Sequence, residues 1–160
     1  MAVDMFLEIE GIQGESKDET HKDKIDVFSW SCGVNNSGNT HLGGGGGAGK
    51  ASPSDFHFSM QTSKASPELF IKVCKGDHIP TATFISRKSG GKQQEYLQIK
   101  FYDLLVSSFQ AGGSQHSDEA IDQIALNFAK MEYTYREQKA DGTLGGDMTK
   151  KYDFKTNTGG

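Results

Sequence analysis

The chain has 160 residues, 20 of them glycine, and a formal net charge of −4 at pH 7, which fits one ordinary domain. Its 17 basic and 21 acidic residues are scattered, so no basic stripe of the kind that binds nucleic acid is present. The sequence also has no apolar run of about 20 residues and no basic, apolar leader. We therefore expect a protein that folds in the cytoplasm, inserts into no membrane and carries no cleavable signal peptide.

The first half of the chain predicts three strands. Residues 3–9 alternate between apolar and polar side chains, which is typical of a half-buried strand. Residues 25–34 are rich in β-branched and aromatic residues and predict a second strand. Residues 35–54 are almost devoid of apolar side chains and predict a long loop. Residues 55–62 alternate again and predict a third strand, with His57 on its solvent side.

Within the second predicted strand, the large side chains alternate with small hydroxyls. Phe28, Trp30 and Cys32 fall on one face and are predicted to point into the core. Ser29 and Ser31 fall on the other face and are predicted to be exposed. The two cysteines of the chain, Cys32 and Cys74, form no C-x-x-C pair, which favours two reduced, buried thiols over a disulfide.

One short helix is predicted between the third strand and the rest of the chain. Ser66 is the candidate N-cap, Pro67 suits the first helical position, and Gly76 suits the end. A helix of two to three turns needs an apolar face packed on something else. The predicted apolar stripe consists of Leu69, Phe70, Val73 and Cys74.

The second half of the chain predicts further strands. Residues 81–88 and 94–109 flank a Ser-Gly-Gly sequence, which is the pattern of a hairpin. Residues 119–131 fit both a helix and a strand, but their continuation 132–138 alternates, which favours one long strand. Residues 148–155 predict a closing strand. Seven or eight strands and one helix indicate a mainly β fold, an antiparallel sandwich or barrel.

The segment HLGGGGGAGK at 41–50 contains the G-x-x-x-x-G-K pattern of a phosphate-binding loop. Such a loop follows a buried strand and opens a helix, with a Ser or Thr hydroxyl directly after the lysine. Here a polar segment precedes the glycines, Ala51 follows Lys50, and Pro53 comes before a predicted strand. The sequence therefore predicts a flexible glycine-rich loop and no nucleotide cofactor.

No other pattern predicts catalysis. The five histidines have no short metal-ligand spacing, so no metal site is expected. Ser29 and Ser31 lack the G-x-S-x-G surroundings of a nucleophile. The carboxylates Asp118, Glu119 and Asp122 lie in a polar stretch and are interpreted as solubilising charge. We expect no catalytic residue and no enzyme activity.

Several stretches resemble one known family. They are MAVDMFLEIEGIQGESKD, IDVFSWSCGV, HLGGGGGAGK, ASPELF, RKSGGKQQEYLQIKFYDLLVSSF, LNFAKMEYTYREQKADGT and KYDF. In this order and spacing they resemble the Hcp family (hemolysin-coregulated proteins), the tube-forming component of bacterial type VI secretion. Cys32 departs from the pattern, since members often carry an aromatic residue there.

The resemblance implies a single domain over residues 1–160. Its fold would be mainly β, a compact barrel of two antiparallel β-sheets with one short helix on its side and a long glycine-rich loop. No segment after the closing strand suggests a fused toxin domain.

The resemblance also implies partners. Six copies form a ring, and rings stack into a hollow tube that a contractile sheath drives out of the cell behind a spike protein. Small effector proteins occupy the lumen, so the protein would be secreted from the cytoplasm by the type VI system. The alternative is a carrier module for effectors that builds no tube.

Two sets of residues are hypothesised to act in such a tube. A long uncharged loop can bridge stacked rings, and its candidates are His41, Leu42, Gly43, Gly44, Gly45, Gly46 and Gly47. Small hydroxyls suit a lumen that must release its cargo, which makes Ser29 and Ser31 candidates for the lumen wall. The alternatives are a loop tip without a partner and serines on the outer wall.

Overall fold

The structure is a computed structural model that describes residues 3–37, 50–88 and 94–160. Within these ranges the chain is mainly β with a single helix, as the sequence predicts. The elements in chain order are β1 (Val3–Ile9), β2 (Ile25–Asp26), β3 (Ser29–Ser31), β4 (Val34–Asn36), β5 (Ala51–Pro53), β6 (Phe56–Gln61), α1 (Ala65–Lys75), β7 (Ile79–Lys88), β8 (Glu95–Gly112), β9 (Ile121–Gln138), β10 (Leu144–Asp153) and β11 (Thr158–Gly159).

Nine of these strands form one antiparallel sheet. Its main path runs in the order β11-β10-β9-β8-β7-β1-β2, while β6 pairs with β9 and β3 pairs with β6. The other two strands, β4 and β5, form a separate pair. No pairing among the described strands closes the large sheet, so the antiparallel β class is confirmed but the closed barrel is not.

The hairpin of β8 and β9 connects the two halves of the molecule. Both strands have 18 residues, and they pair from Leu97 with Tyr135 to Gly112 with Ile121. The first part of β9 pairs with β6 and its last part with β10. This confirms the single long strand predicted for the ambiguous segment, and it makes β9 the strand that joins β6, β8 and β10.

The core is built from aromatic rings. Phe56, Phe84 and Phe101 are fully buried, and the ring centroid of Phe56 lies 5.5 Å from that of Phe84 and 4.8 Å from that of Phe101. Leu69 of α1 is also fully buried among them. Each such side chain stabilises the fold by about 2 kcal/mol relative to an exposed one.

The predicted second strand is three short strands. The chain leaves β1 after Asp26 and joins β6 at Ser29, with the amide of Val27 still donating to the carbonyl of Met5. This crossing from one neighbour to another resets the alternation of side chains. Ile25 and Val27 are therefore buried.

Phe28 lies at that crossing and is 47% exposed, so the prediction that it faces the core is wrong. Trp30 and Cys32 are half-buried and pack against the core, as predicted. Burial raises the pKa of the Cys32 thiol. Both cysteines are free, but Cys74 is exposed, so only one of the two thiols is buried at all.

The predicted loop over residues 35–54 is shorter than expected, because its two ends pair with each other. Val34 lies opposite Pro53 and Asn36 opposite Ala51 in the β4–β5 pair. The hypothesised stacking residues 41–47 and the predicted turn at 89–91 lie outside the described residues. The closing strand is longer than predicted and begins at Leu144.

The helix differs from its prediction at the start and matches it at the end. Lys64 occupies the N-cap position, and Ser66 is buried in the first turn. Gly76 ends the helix with a φ of 66°, the left-handed conformation that favours glycine. Phe70 is 53% exposed, so only a narrow face of the helix, centred on Leu69, packs on the sheet. The helix, the single one in the described ranges, is too short to cross a membrane.

Candidate functional site: a polar strand face

Ser29 and Ser31 are both exposed on β3, as the sequence predicts. β3 is held in place from its other side, where the Trp30 ring lies 4.8 Å from Phe84 and 6.1 Å from Phe56, measured between ring centroids. An aromatic anchor on one face of a strand fixes the direction of the side chains on the opposite face. The two serines are therefore presented by a strand packed on the core.

Each serine begins a row of side chains that crosses four strands. One row runs through β3, β6, β9 and β8 as Ser29, Ser59, Gln123 and Gln110. The second row, along the same strands, consists of Ser31, His57, Ala125 and Ser108. With neighbouring strands about 4.8 Å apart, the rows are about 14 Å wide.

The non-alanine members of these rows form what we call the polar face. It consists of Ser29, Ser31, His57, Ser59, Ser108, Gln110 and Gln123. Its side chains line an open hollow of about 440 Å³. The hydroxyls of Ser29 and Ser59 are 2.5 Å apart and hydrogen-bond to each other across the strands.

The polar face has hydroxyl, amide and imidazole groups. Among the described residues that line the hollow, none is Asp, Glu, Lys or Arg. Asp55 directly precedes β6 on the same side of the chain as His57 and Ser59, but it does not line the hollow. Its carboxylate accepts hydrogen bonds from Ser107 Oγ at 2.6 Å and Asn127 Nδ2 at 2.9 Å. Such a surface offers many weak hydrogen bonds and no fixed charge to hold an oppositely charged ligand.

Asp122 lies on β9 directly beneath the polar face and is fully buried, which overturns its interpretation as a solubilising charge. Its Oδ2 accepts a hydrogen bond from Ser66 Oγ at 2.5 Å, and its Oδ1 accepts one from Thr62 Oγ1 at 3.0 Å. The two hydroxyls belong to the first turn of α1 and to the segment before it. Asp122 thus ties the helix to the strand that supports the polar face.

A second polar cluster holds the connection between β1 and β2. The guanidinium of Arg87, on β7, is buried, lies 5.0 Å from the centroid of the Phe6 ring and donates to the carboxylates of Asp18 and Asp4. Arg87 lowers the pKa of Asp18 from 3.8 to about 2. In return, Asp18 raises the pKa of Arg87. The sequence has no local signal for this cluster, because Asp18 and Arg87 are 69 residues apart.

His21 belongs to the same connection and is buried against the aromatic partner of Arg87. Its ring stacks on Phe6 with centroids 4.7 Å apart. Its Nε2 lies 2.6 Å from Glu95 Oε1, while Lys24 Nζ lies 3.0 Å from Nδ1. Because the ammonium can only donate, Nδ1 accepts and the proton lies on Nε2, which donates to Glu95. His21 therefore has a structural role, because both of its ring nitrogens are hydrogen-bonded to neighbouring side chains.

The glycine-rich segment is followed by an element that a phosphate-binding loop does not have. Ala51–Pro53 form β5, whereas such a loop needs the first turn of a helix at this point. No group of three or more His, Cys, Asp or Glu side chains that could hold a metal ion occurs in residues 3–37, 50–88 and 94–160.

Comparison with known proteins places this fold in type VI secretion. The family model described as type VI secretion system effector, Hcp, matches residues 6–135. The chain is 46% identical over 151 residues to Protein hcp1 of Pseudomonas aeruginosa, covering 94% of this chain and 93% of that protein.

Solved structures support the same family. The crystal structure of Hcp1 from Salmonella typhimurium has a TM-score of 0.83 at 34% identity, with 99% of both chains covered. A structure described as that of a type six secretion system protein has a TM-score of 0.93 at 26% identity, covering 99% of this chain and 100% of that one. The chain belongs to the Hcp family. It is a secreted type VI secretion protein, of a family that is structural in character.

Proposed function

We propose that this protein forms six-membered rings that stack into the hollow inner tube of a type VI secretion system. The polar face lines the lumen of each ring and carries small effector proteins during export. Membership of the Hcp family supports the tube, and the composition of the polar face supports its place in the lumen. The tube's other partners are a contractile sheath and a spike protein.

The observation that carries the placement is the absence of fixed charge on the polar face among the described residues. Elsewhere the described surface is rich in Lys, Asp and Glu, so a patch of hydroxyls and amides four strands wide is distinctive. A lumen wall must hold a cargo and later release it. Hydrogen bonds from neutral groups, each with a net value of about 1 kcal/mol, allow both, whereas desolvated ion pairs would resist release.

Ser31→Gln tests this placement. Ser31 is exposed and paired with His57, so a longer side chain fits without disturbing the core and narrows the lumen. We expect the variant to form rings of wild-type mass, while co-expressed effector is retained less and degraded faster in cells. Ser52→Gln is the matched control, because Ser52 is also an exposed strand serine but lies on β5, outside the polar face.

The two parts of the proposal fail separately. If Ser31→Gln rings retain effector as well as the wild type does, the polar face does not line the lumen, but the proposed ring still stands. A wild-type protein that stays a single subunit yet retains effector would support the carrier module without a tube. Mass measurement of the purified protein and its effector complex distinguishes these results.

A further inference from the structure

The four strands that carry the polar face have two outer edges, one at β3 and the other at β8. Among the described strands, β3 pairs with β6 alone and forms one edge. At the opposite edge, β7 pairs with β8 as far as Leu104, so the last part of β8 pairs with β9 alone among the described strands. An open strand edge favours contact with a further chain. The four strands alternate in direction, because each pair is antiparallel. If β8 of one copy lay beside β3 of another, the strands would continue to alternate in direction.

Each edge carries an exposed aromatic side chain. At the β3 edge, Phe28 is 47% exposed beside an open hollow of about 690 Å³ that Val3 and Val27 also line. At the β8 edge, Phe70 of α1 is 53% exposed, and its ring centroid lies 6.1 Å from that of Phe109. Exposed apolar patches mark contact surfaces, and here Phe28 adjoins the exposed Val3 while Phe70 adjoins Phe109.

We call the second cluster the α1–β8 groove. It is lined mainly by apolar groups and has a volume of about 670 Å³. The residues that define it are Pro67, Phe70, Phe109 and Ala111. It lies on the side of β8 opposite to Gln110, that is, beneath the polar face and away from the lumen.

The two edges also differ in charge. The hollow beside Phe28 is lined by Asp4, Glu15 and Asp26, and burial together with the carboxylates of Asp18 and Asp4 raises the pKa of Asp26. The last turn of α1 carries Lys72 and Lys75. These lysines lie on the same helix as Phe70 but outside the lining of the groove, and Lys72 already pairs with Asp77 at 3.8 Å. Lys75 therefore supplies the positive charge that could attract the acidic residues beside Phe28 of another copy.

We propose that Phe28 of one subunit packs into the α1–β8 groove of a second copy, and that this contact joins neighbouring subunits. The inference rests on the proposed ring and identifies the surfaces that close it. The patches lie at opposite edges of the same four strands, so each contact uses one patch from each copy and runs head to tail. A head-to-tail contact that closes on itself gives a ring.

A pair of charged variants tests the contact. Phe28→Glu introduces a negative charge at the first surface, and Phe70→Arg introduces a positive charge at the second. Because both side chains are about half exposed, we expect the core to be unaffected. We expect each variant alone to remain a single subunit at concentrations where the wild type assembles. In an equimolar mixture, intact Phe28 meets an intact groove at half of the contacts. At the other half, the introduced carboxylate meets the introduced guanidinium, so assembly returns. Native mass spectrometry and sedimentation velocity give the readout.

Two further variants keep the test decisive. Phe28→Ser and Phe70→Ser introduce no charge, and we expect them to assemble only at about tenfold higher concentration or above. Met148→Glu is the matched control, because Met148 is 68% exposed on β10, away from both edges, and should assemble like the wild type. Circular dichroism confirms that each variant is folded.

Three results overturn the contact. They are wild-type assembly of either charged variant, a mixture that stays monomeric, and a loss of assembly in Met148→Glu as large as that in the two charged variants. A wild-type protein that stays a single subunit at high concentration would instead overturn the proposed ring. The inferred contact and the proposed function therefore fail in different experiments.

Discussion

The carboxylate of Asp122 lies 2.5 Å from the hydroxyl of Ser66, and this pair fixes the first turn of α1 to β9. Both side chains are buried, and no described cation pairs with the carboxylate. The first turn of α1 is therefore hydrogen-bonded to β9 through the neutral hydroxyl of Ser66 and the carboxylate of Asp122. The pair is therefore a sensitive point for the stability of the whole sheet.

We predict that Asp122→Ala lowers the free energy of unfolding by about 2 kcal/mol, because the hydroxyls of Ser66 and Thr62 lose their buried acceptor. Urea unfolding followed by the fluorescence of Trp30, the one tryptophan of the chain, measures the change. Glu119→Ala is the control, since Glu119 is exposed and should change stability by less than about 0.5 kcal/mol. Equal effects of the two substitutions would contradict the role of the buried pair.

A second prediction concerns the stability of the fold at low pH. Arg87 lowers the pKa of Asp18 from 3.8 to about 2, so the folded state holds this proton less tightly than the unfolded state does. The stability that the pair contributes is complete above about pH 4 and is lost as the pH falls towards 2. We expect Asp18→Asn to be less stable than the wild type at pH 6, with the difference shrinking between pH 4 and 2. Urea midpoints across this range test it, and a difference independent of pH would show that the pair is not the cause.

A third prediction concerns the backbone of β8. Asp103 has a φ of 50°, a conformation that Asp and Asn tolerate and β-branched residues do not. We predict that Asp103→Val costs about 2 kcal/mol. Asp103→Asn should cost much less than Asp103→Val, although it weakens the exposed contacts with His78 and Lys155. Thermal unfolding compares the two, and an equally large loss in Asp103→Asn would assign the effect to the ion pairs.

A fourth prediction tests the hypothesis that the loop containing His41 and Leu42 bridges stacked rings. Deleting Gly43–Gly47 shortens a segment outside the described residues and leaves the β4–β5 pair intact. We expect rings of normal mass that no longer stack into tubes, as seen by electron microscopy. Replacing the same five glycines with serines is the control, because it keeps the length, and tubes should form. Normal tubes after the deletion would remove the loop from stacking.

The sequence by itself determined the β class and most strands. Alternation along β1, β6 and β9 is a local property, since each residue's face follows from its neighbours two positions away. The end of α1 at Gly76 is local too, because a left-handed residue needs only its own backbone freedom. The exposure of Ser29 and Ser31 followed from the same alternation, and the family resemblance rested on motifs in order.

Only the tertiary structure decided where those elements meet. Phe28 is exposed and Asp122 is buried because the chain crosses from β1 to β6 and the helix docks on β9, and neither event is written in the local pattern. The polar face joins Ser29 to Gln110 across β6 and β9, residues far apart in the chain. Their alignment depends on the register of three strand pairs at once, which is set by packing across the whole core.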